Sequence, residues 1–83
     1  MRLVFLGGLG DVAPPTLSQM AIPNGVRTLS DLKDWIARAE PPLGRAMALA
    51  PVRLVVNHSL AHDLTASVDE DDEIAFLPPM SGG

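Results

Sequence analysis

The sequence has 83 residues, of which 47% are hydrophobic, and it carries a formal net charge of −4 with no cysteine. This length suits one small domain with a hydrophobic core, and it is short for an enzyme that must enclose its own substrate pocket. The apolar content argues against intrinsic disorder, and the lack of cysteine excludes disulfide bonds, thiolate metal sites and cysteine nucleophiles. We therefore expect one domain over residues 1–83 that acts as a carrier, a binding module or a subunit.

The charges are divided unevenly along the chain. All six basic residues lie in residues 1–53 together with four acidic residues, whereas residues 54–83 hold six acidic residues and no base. Phosphate binding needs clustered Lys and Arg, so we expect no nucleic-acid partner. A basic protein surface is the more suitable partner, because opposite charges speed the encounter. A simple solvated acidic turn is the alternative.

No segment resembles a membrane span or an export signal. No apolar run approaches the roughly 20 residues that span a bilayer. The start of the sequence holds one base and a short apolar run that ends at Gly7-Gly8, unlike a secretory signal. A small domain without disulfides suits the cytoplasm. We therefore expect a cytoplasmic protein with no membrane partner.

The first part of the chain predicts two strands separated by a loop. Residues 2–6 are apolar and β-favouring, as in a central strand that is buried on both faces. Residues 10–15 contain two adjacent prolines and predict a loop. Residues 16–23 alternate imperfectly between apolar and polar side chains and predict an edge strand.

The main helix is predicted over residues 28–39. Thr28 can cap its N-terminus, and Asp31 stands three residues later at the capping-box position. The apolar residues that follow recur with helical spacing and form one stripe, which comprises Leu29, Leu32, Trp35, Ile36 and Ala39. Pro41-Pro42 is expected to stop this helix, and residues 43–50 predict a short second helix.

The rest of the chain predicts a hairpin, a connection and a last strand. The hairpin strands are expected at residues 52–56 and 59–62, and Asn57-His58 forms the two-residue turn between them. After the hairpin we expect a connection with a turn of helix over residues 63–68 and an acidic turn over residues 69–72. The closing strand is expected over residues 73–77.

This order of elements predicts an α+β fold. Strands, a helix packed on one face and a closing strand make a sheet–helix layer. Parallel pairing of the first and last strands would make the sheet mixed. The arrangement is β-grasp, as in ubiquitin, with about four to five strands and one main helix on one face.

The C-terminal tail, residues 78–83, carries the candidate chemistry. Gly82-Gly83 has no side chain, so it can pass through a narrow channel and present an unhindered carboxylate. Such a carboxylate must be activated before it reacts, typically as a mixed anhydride with AMP, and can then form a thiocarboxylate, a thioester or an isopeptide bond. Pro78-Pro79 would hold the tail extended and away from the sheet. A frayed polar end is the alternative.

Apolar residues around the two prolines suit docking into a groove of a partner. The predicted partner-binding residues are Phe76, Leu77, Pro78, Pro79, Met80 and Ser81. For Phe76 a place in the core is the alternative, because successive strand residues point to opposite faces.

We expect no metal site in this chain. His58 and His62 have the spacing of helical metal ligands, but they fall in a predicted turn and strand, and no nearby Glu completes a zinc motif. The acidic run at residues 69–73 lacks the spacing and the glycine of a calcium-binding loop.

Residues 70–83 resemble the C-terminal signature of the small subunit of molybdopterin synthase, a ubiquitin-like sulfur carrier of the MoaD/ThiS type. The shared features are an acidic turn, an apolar strand, two prolines, a small apolar residue and Gly-Gly. The first strand, the main helix and the turn at Asn57 resemble the family more loosely. Two features depart from the family: Asp71 stands where Gly is frequent, and no Gly follows Asn57.

The resemblance implies a β-grasp sulfur carrier. An E1-like adenylyltransferase would adenylate the Gly83 carboxylate with ATP and magnesium, and the acyl-adenylate would be converted to a thiocarboxylate. Gly82 would give clearance in the partner's channel. The large subunit of molybdopterin synthase would hold the pterin, cyclic pyranopterin monophosphate, and accept the sulfur within a heterotetramer. This chain would bind no cofactor alone, and it would be a non-catalytic subunit of a transferase.

Two alternatives stay open. One is a carrier for thiamine, cysteine or thiolated tRNA synthesis, which often lacks the double proline. The other is a ubiquitin-like modifier that conjugates to lysines. Lys33 is the single lysine of this chain, which leaves few sites for building chains on itself but does not forbid conjugation to other proteins.

Overall fold

The computed structural model describes residues 1–49 and 51–79. The elements of these residues, in chain order, are β1 (Arg2–Phe5), α1 (Leu9–Val12), a 3-10 helix (Pro15–Leu17), α2 (Leu29–Ala39), α3 (Pro41–Ala48), β2 (Arg53–Val56), β3 (Ser59–Ala61) and β4 (Glu73–Leu77).

The strands form one mixed sheet in the order β1-β4-β2-β3. β4 pairs in parallel with β1 and antiparallel with β2, and β3 pairs antiparallel with β2. The predicted mixed sheet is therefore confirmed, and its first and last strands are the parallel pair. Because β4 lies between two neighbours, the tail that follows it starts from the middle of the sheet.

The N-terminus of α2 forms the predicted capping box. The backbone N–H of Asp31 donates to Thr28 Oγ1 at 3.1 Å, and Asp31 Oδ2 accepts from the backbone N–H of Thr28 at 3.1 Å. The same carboxylate accepts from the Arg27 N–H at 3.0 Å. These backbone donors, Arg27 first, lower the pKa of Asp31 below its ordinary value because they stabilise the charged form.

The short second helix begins earlier than predicted. α3 starts at Pro41, with only Glu40 between it and the end of α2, and has proline in its first turn. The first N–H groups of a helix have no partner within that helix, so a proline there loses no hydrogen bond. Pro41-Pro42 therefore stops α2, as predicted, and also starts α3.

The predicted edge strand over residues 16–23 is reduced to one isolated antiparallel bridge between Gln19 and Arg2 of β1. Residues 15–17 form the 3-10 helix instead, with Pro15 in its first turn and Leu17 buried. The segment after it makes one backbone hydrogen bond to β1 and one to the residue before it: Leu3 N–H donates to the carbonyl of Ser18 and Met20 N–H donates to the carbonyl of Met1, both at 3.0 Å. This segment lies along the outer edge of β1, and α1 forms at the start of the region predicted as loop.

One hydrophobic core joins the sheet to the helices. α2 and α3 cover one face of the sheet, so a second helix accompanies the predicted main one. The side chains with no exposed surface are Leu32 and Ile36 of α2, Leu43 of α3, and Ile74 and Phe76 of β4. β4 thus supplies the centre of both the sheet and the core.

Candidate functional site at the end of β4

Burial alternates along β4, the strand that leads into the tail. Ile74 and Phe76 are buried toward the helices, whereas Glu73, Ala75 and Leu77 are half-buried and face the other side. The period of two is that of a strand with one covered and one open face. Leu77, predicted to bind a partner, therefore lies where a partner could reach it.

Phe76 lies inside the core. Its side chain has 0% exposure, and its ring stacks on Phe5 with centroids 4.7 Å apart. This corrects the expectation of a direct contact between Phe76 and a partner, because no part of the ring reaches the surface of the folded chain. The alternative prediction, that Phe76 belongs to the core, is the one that the structure confirms.

Pro78 and Pro79 follow Leu77, the last residue of β4, where the chain leaves the sheet. Leu6 N–H donates to the backbone carbonyl of Phe76 at 3.1 Å, so the backbone hydrogen-bonding groups of Phe76 point toward β1. These directions alternate along a strand, so the backbone nitrogen of residue 78 points toward β1 as well. Asn57 N–H donates to the backbone carbonyl of Glu73 at 2.8 Å, so the backbone groups at positions 73, 75, 77 and 79 point toward β2. Proline has no N–H to donate. The double proline therefore denies one donor to each neighbouring strand.

The predicted residues beyond the double proline lie outside the described part of the chain. They are Met80, Ser81, Gly82 and Gly83. Their roles stay predictions.

The sheet face turned away from the helices carries an apolar row across all four strands. Val4 pairs with Ala75, Ala75 with Val55, and Val55 with Leu60, which is 40% exposed. Leu6 and Leu77 extend the row toward the start of the tail. We call these six residues the open face. The sequence analysis missed this surface: alternation indicates which residues of one strand share a face, but the row across the sheet follows from the register of the four strands.

The acidic turn is held to the hairpin turn by side-chain hydrogen bonds. Asp72 Oδ1 accepts from Asn57 Nδ2 at 2.8 Å, and Asp72 Oδ2 accepts from Asp69 N–H at 2.8 Å. Asn57 Oδ1 in turn accepts from Glu73 N–H at 2.9 Å. Asn57 and His58 have φ values of 50° and 71°, as the predicted two-residue turn requires.

Glu70 ties the same turn to the start of the chain. Its two carboxylate oxygens accept from Ile22 N–H at 3.1 and 3.2 Å, and its Oε1 lies 3.9 Å from the Met1 ammonium. Within the described residues, the Asp71 side chain takes part in no such bond. Most of the acidic turn is thus structural as well as charged.

Asp72→Ala is expected to destabilise the fold by about 0.5–1.5 kcal/mol, because it removes two surface hydrogen bonds whose donors water can then reach. Asp71→Ala is the matched control at the neighbouring position, and it should change the free energy of unfolding by less than about 0.5 kcal/mol. Urea denaturation measures both. Equal effects of the two variants would contradict a structural role for the Asp72 carboxylate.

A metal site and a membrane span are both missing from the residues described. Over residues 1–49 and 51–79, no three His, Asp or Glu side chains are grouped so that they could hold a metal ion. In the same ranges no helix has the length and apolar character needed to cross a membrane.

The mixed four-stranded sheet with helices on one face defines a ubiquitin-like protein with a β-grasp domain. The chain matches the ThiS family over residues 5–83, and it belongs to that family. It is thereby a member of a ubiquitin-like family of the ThiS/MoaD type. Among solved structures it is similar to SAMP1 from Haloferax volcanii, with a TM-score of 0.75 and 24% identity over 98% of this chain and 96% of that chain. This likeness confirms the β-grasp fold. No curated protein matches the sequence.

Proposed function

We propose that this chain is the sulfur-carrier subunit of molybdopterin synthase and that the Gly83 carboxylate is its reacting group. The observation that carries the proposal is the course of the chain at the end of β4. A central strand ends in two prolines that give neither neighbour an N–H, and Met80-Ser81-Gly82-Gly83 follows. The family match extends through Gly83.

The chemistry proceeds in two activation steps on the carrier. A Gly83 carboxylate oxygen attacks the α-phosphorus of ATP, which a partner adenylyltransferase holds with magnesium, and pyrophosphate leaves. Hydrosulfide then attacks the acyl carbon, and AMP leaves with the electron pair of the broken C–O bond. The product is a thiocarboxylate. The large synthase subunit holds the pterin, so this chain contributes the sulfur and no cofactor of its own.

The open face and the acidic turn offer the surfaces for such partners. Leu6 is 43% exposed, and with Leu77 it places apolar area beside the start of the tail. Apolar centres with charged rims are typical of protein interfaces. The acidic turn at residues 69–72 lies at the other end of β4, where it can attract a basic partner surface over a distance. Docking by the open face would leave the tail free to enter the partner's site.

The decisive test is sulfur loading followed by sulfur transfer. The full chain is incubated with its cognate adenylyltransferase, magnesium, ATP and sulfide, and its intact mass is measured. We expect a mass gain equal to the exchange of one oxygen atom for one sulfur atom. Adding the large subunit and cyclic pyranopterin monophosphate should reverse the gain and yield molybdopterin.

The outcomes separate the competing functions. An unchanged mass under loading conditions contradicts any sulfur-carrier function. Loading without transfer to the pterin contradicts the molybdopterin assignment and favours a carrier for thiamine, cysteine or tRNA thiolation. Isopeptide adducts on lysines of other proteins, without molybdopterin, favour a ubiquitin-like modifier.

A further inference from the structure

The turn after β1 lies directly against the first residue of the tail. Gly7 has a φ of +56°, a conformation that residues with a Cβ rarely adopt. A Cβ built on Gly7 would lie 3.0 Å from Cγ of Pro78 and 3.7 Å from its Cδ. Carbon atoms approach comfortably to about 3.5–4.0 Å. The Pro78 ring therefore occupies space that any other residue at position 7 would need.

The backbone on both sides of Gly7 is fixed by hydrogen bonds. Leu6 N–H donates to the Phe76 carbonyl at 3.1 Å, which fixes the end of β1 against β4. The Leu6 carbonyl accepts from Leu9 N–H at 3.2 Å, and the Gly7 carbonyl accepts from Gly10 N–H at 3.1 Å. The surface against which the Pro78 ring packs is thus held at both ends and cannot easily move aside.

We propose that Gly7 is a positioning residue for the reactive tail: it provides the space in which Pro78 packs, and this contact sets the direction in which the tail leaves the sheet. The inference rests on the proposed function, because direction matters when a carboxylate must enter a partner's site. Gly7 touches no reacting atom and acts only through Pro78.

Small changes of direction at Pro78 become large at the end of the tail. A fully extended chain from Pro78 to Gly83 spans about 16 Å, so a tilt of about 15° at its base moves the carboxylate by about 4 Å. Reacting atoms must come within about 3–3.5 Å of each other, and a misplacement of about 1 Å can cost 100-fold in rate. The contact at Gly7 therefore bears on the rate of activation more than on partner docking.

The test compares Gly7→Ala with Gly25→Ala in the full chain. Gly25 has a φ of +86°, and no atom lies within 4 Å of a Cβ built on it, so this control adds backbone strain without a clash. We expect Gly7→Ala to lower kcat for adenylation at least about tenfold below the Gly25→Ala value, with KM nearly unchanged. Equal kcat values for the two variants would overturn the inference.

A Pro78→Ala background isolates the ring contact. Pro78→Ala removes Cγ and Cδ, the atoms within 4 Å of a Cβ built on Gly7. In that background the kcat of the Gly7→Ala variant should lie less than about twofold below that of the Gly25→Ala variant. The backbone strain of an alanine at positive φ is then the only effect left, and both variants share it. An undiminished effect would show that backbone strain, and not the Pro78 contact, is responsible, which also overturns the inference.

A second measurement on the free protein does not need activity. The chain has no cysteine, so spin labels can be placed at Ser81→Cys and Ser59→Cys alone, and their distance distribution measured by pulsed dipolar spectroscopy. Gly7→Ala should shift or broaden the distribution, and Gly25→Ala should not. If the wild-type chain is not adenylated, the proposed function fails while such a shift still supports the Gly7–Pro78 contact. An unchanged distribution in an adenylated chain overturns the inference alone.

Discussion

Phe76→Ala is expected to lower the free energy of unfolding by about 3–5 kcal/mol. The Phe76 ring is fully buried and stacked on Phe5, and it sits on the central strand opposite Leu54 of β2. Truncation removes apolar contacts and leaves a cavity between the sheet and the helices. The total free energy of unfolding of a small domain is about 5–15 kcal/mol, so this variant would lose a substantial part of its stability.

Leu60→Ala is the matched control for this large effect. Leu60 is also an apolar strand residue, but it lies on the open face and is 40% exposed, so its loss should cost less than about 1 kcal/mol. Thermal and urea denaturation of the free chains measure both variants. A cost below about 1 kcal/mol for Phe76→Ala would contradict its place in the core.

The same pair of variants separates folding from binding. Because Phe76 has no exposed surface, Phe76→Ala should weaken partner binding only in proportion to the folded fraction that it removes. Leu60→Ala should weaken binding of the large subunit with little change in stability, if the open face is the docking surface. Titration calorimetry, corrected for the folded fraction, distinguishes the two effects.

Local signals made much of the fold predictable from the sequence. The capping box at Thr28 and Asp31 marks the start of α2 without reference to the rest of the chain. Asn57-His58 predicts the hairpin turn, because asparagine tolerates positive φ. The apolar runs at the two ends of the chain indicated the paired strands β1 and β4.

The features that were missed depend on residues far apart in the sequence. The segment at 16–23 has a plausible strand pattern, but Leu17 turns into the core and Pro15 favours a 3-10 helix. The Asp72 carboxylate is held by Asn57, 15 positions away, so its structural role needs the folded chain to be recognised. The open face depends on the register of four strands, which alternation within one strand cannot give.

The double proline shows a further limit of sequence reasoning. An extended conformation is a prediction from the two adjacent prolines alone. The second effect of the double proline, one missing N–H donor toward β1 and one toward β2, depends on β4 being the central strand. Pro78 and Pro79 therefore cannot donate a ladder hydrogen bond to β1 or β2, whatever residues follow them.

Deletion of Gly83 is expected to lower the rate of sulfur loading by at least about 100-fold. One extended residue advances about 3.3 Å, so the shortened chain would present its carboxylate that far from the α-phosphorus of ATP. A chain with one added glycine should fail for the same reason, since its carboxylate would be displaced by a similar distance. Single-turnover adenylation, followed by intact mass, measures the loading rate of all three chains.

The fold should be unaffected by this deletion, because a residue at a chain end contributes little to packing. The melting temperature of the shortened chain should therefore equal that of the wild type, and its affinity for the adenylyltransferase should change little if the open face supplies most of the contact. A slow rate at unchanged affinity would locate the defect in the reacting group. If the shortened chain is loaded at the wild-type rate, Gly83 is not the residue that reacts.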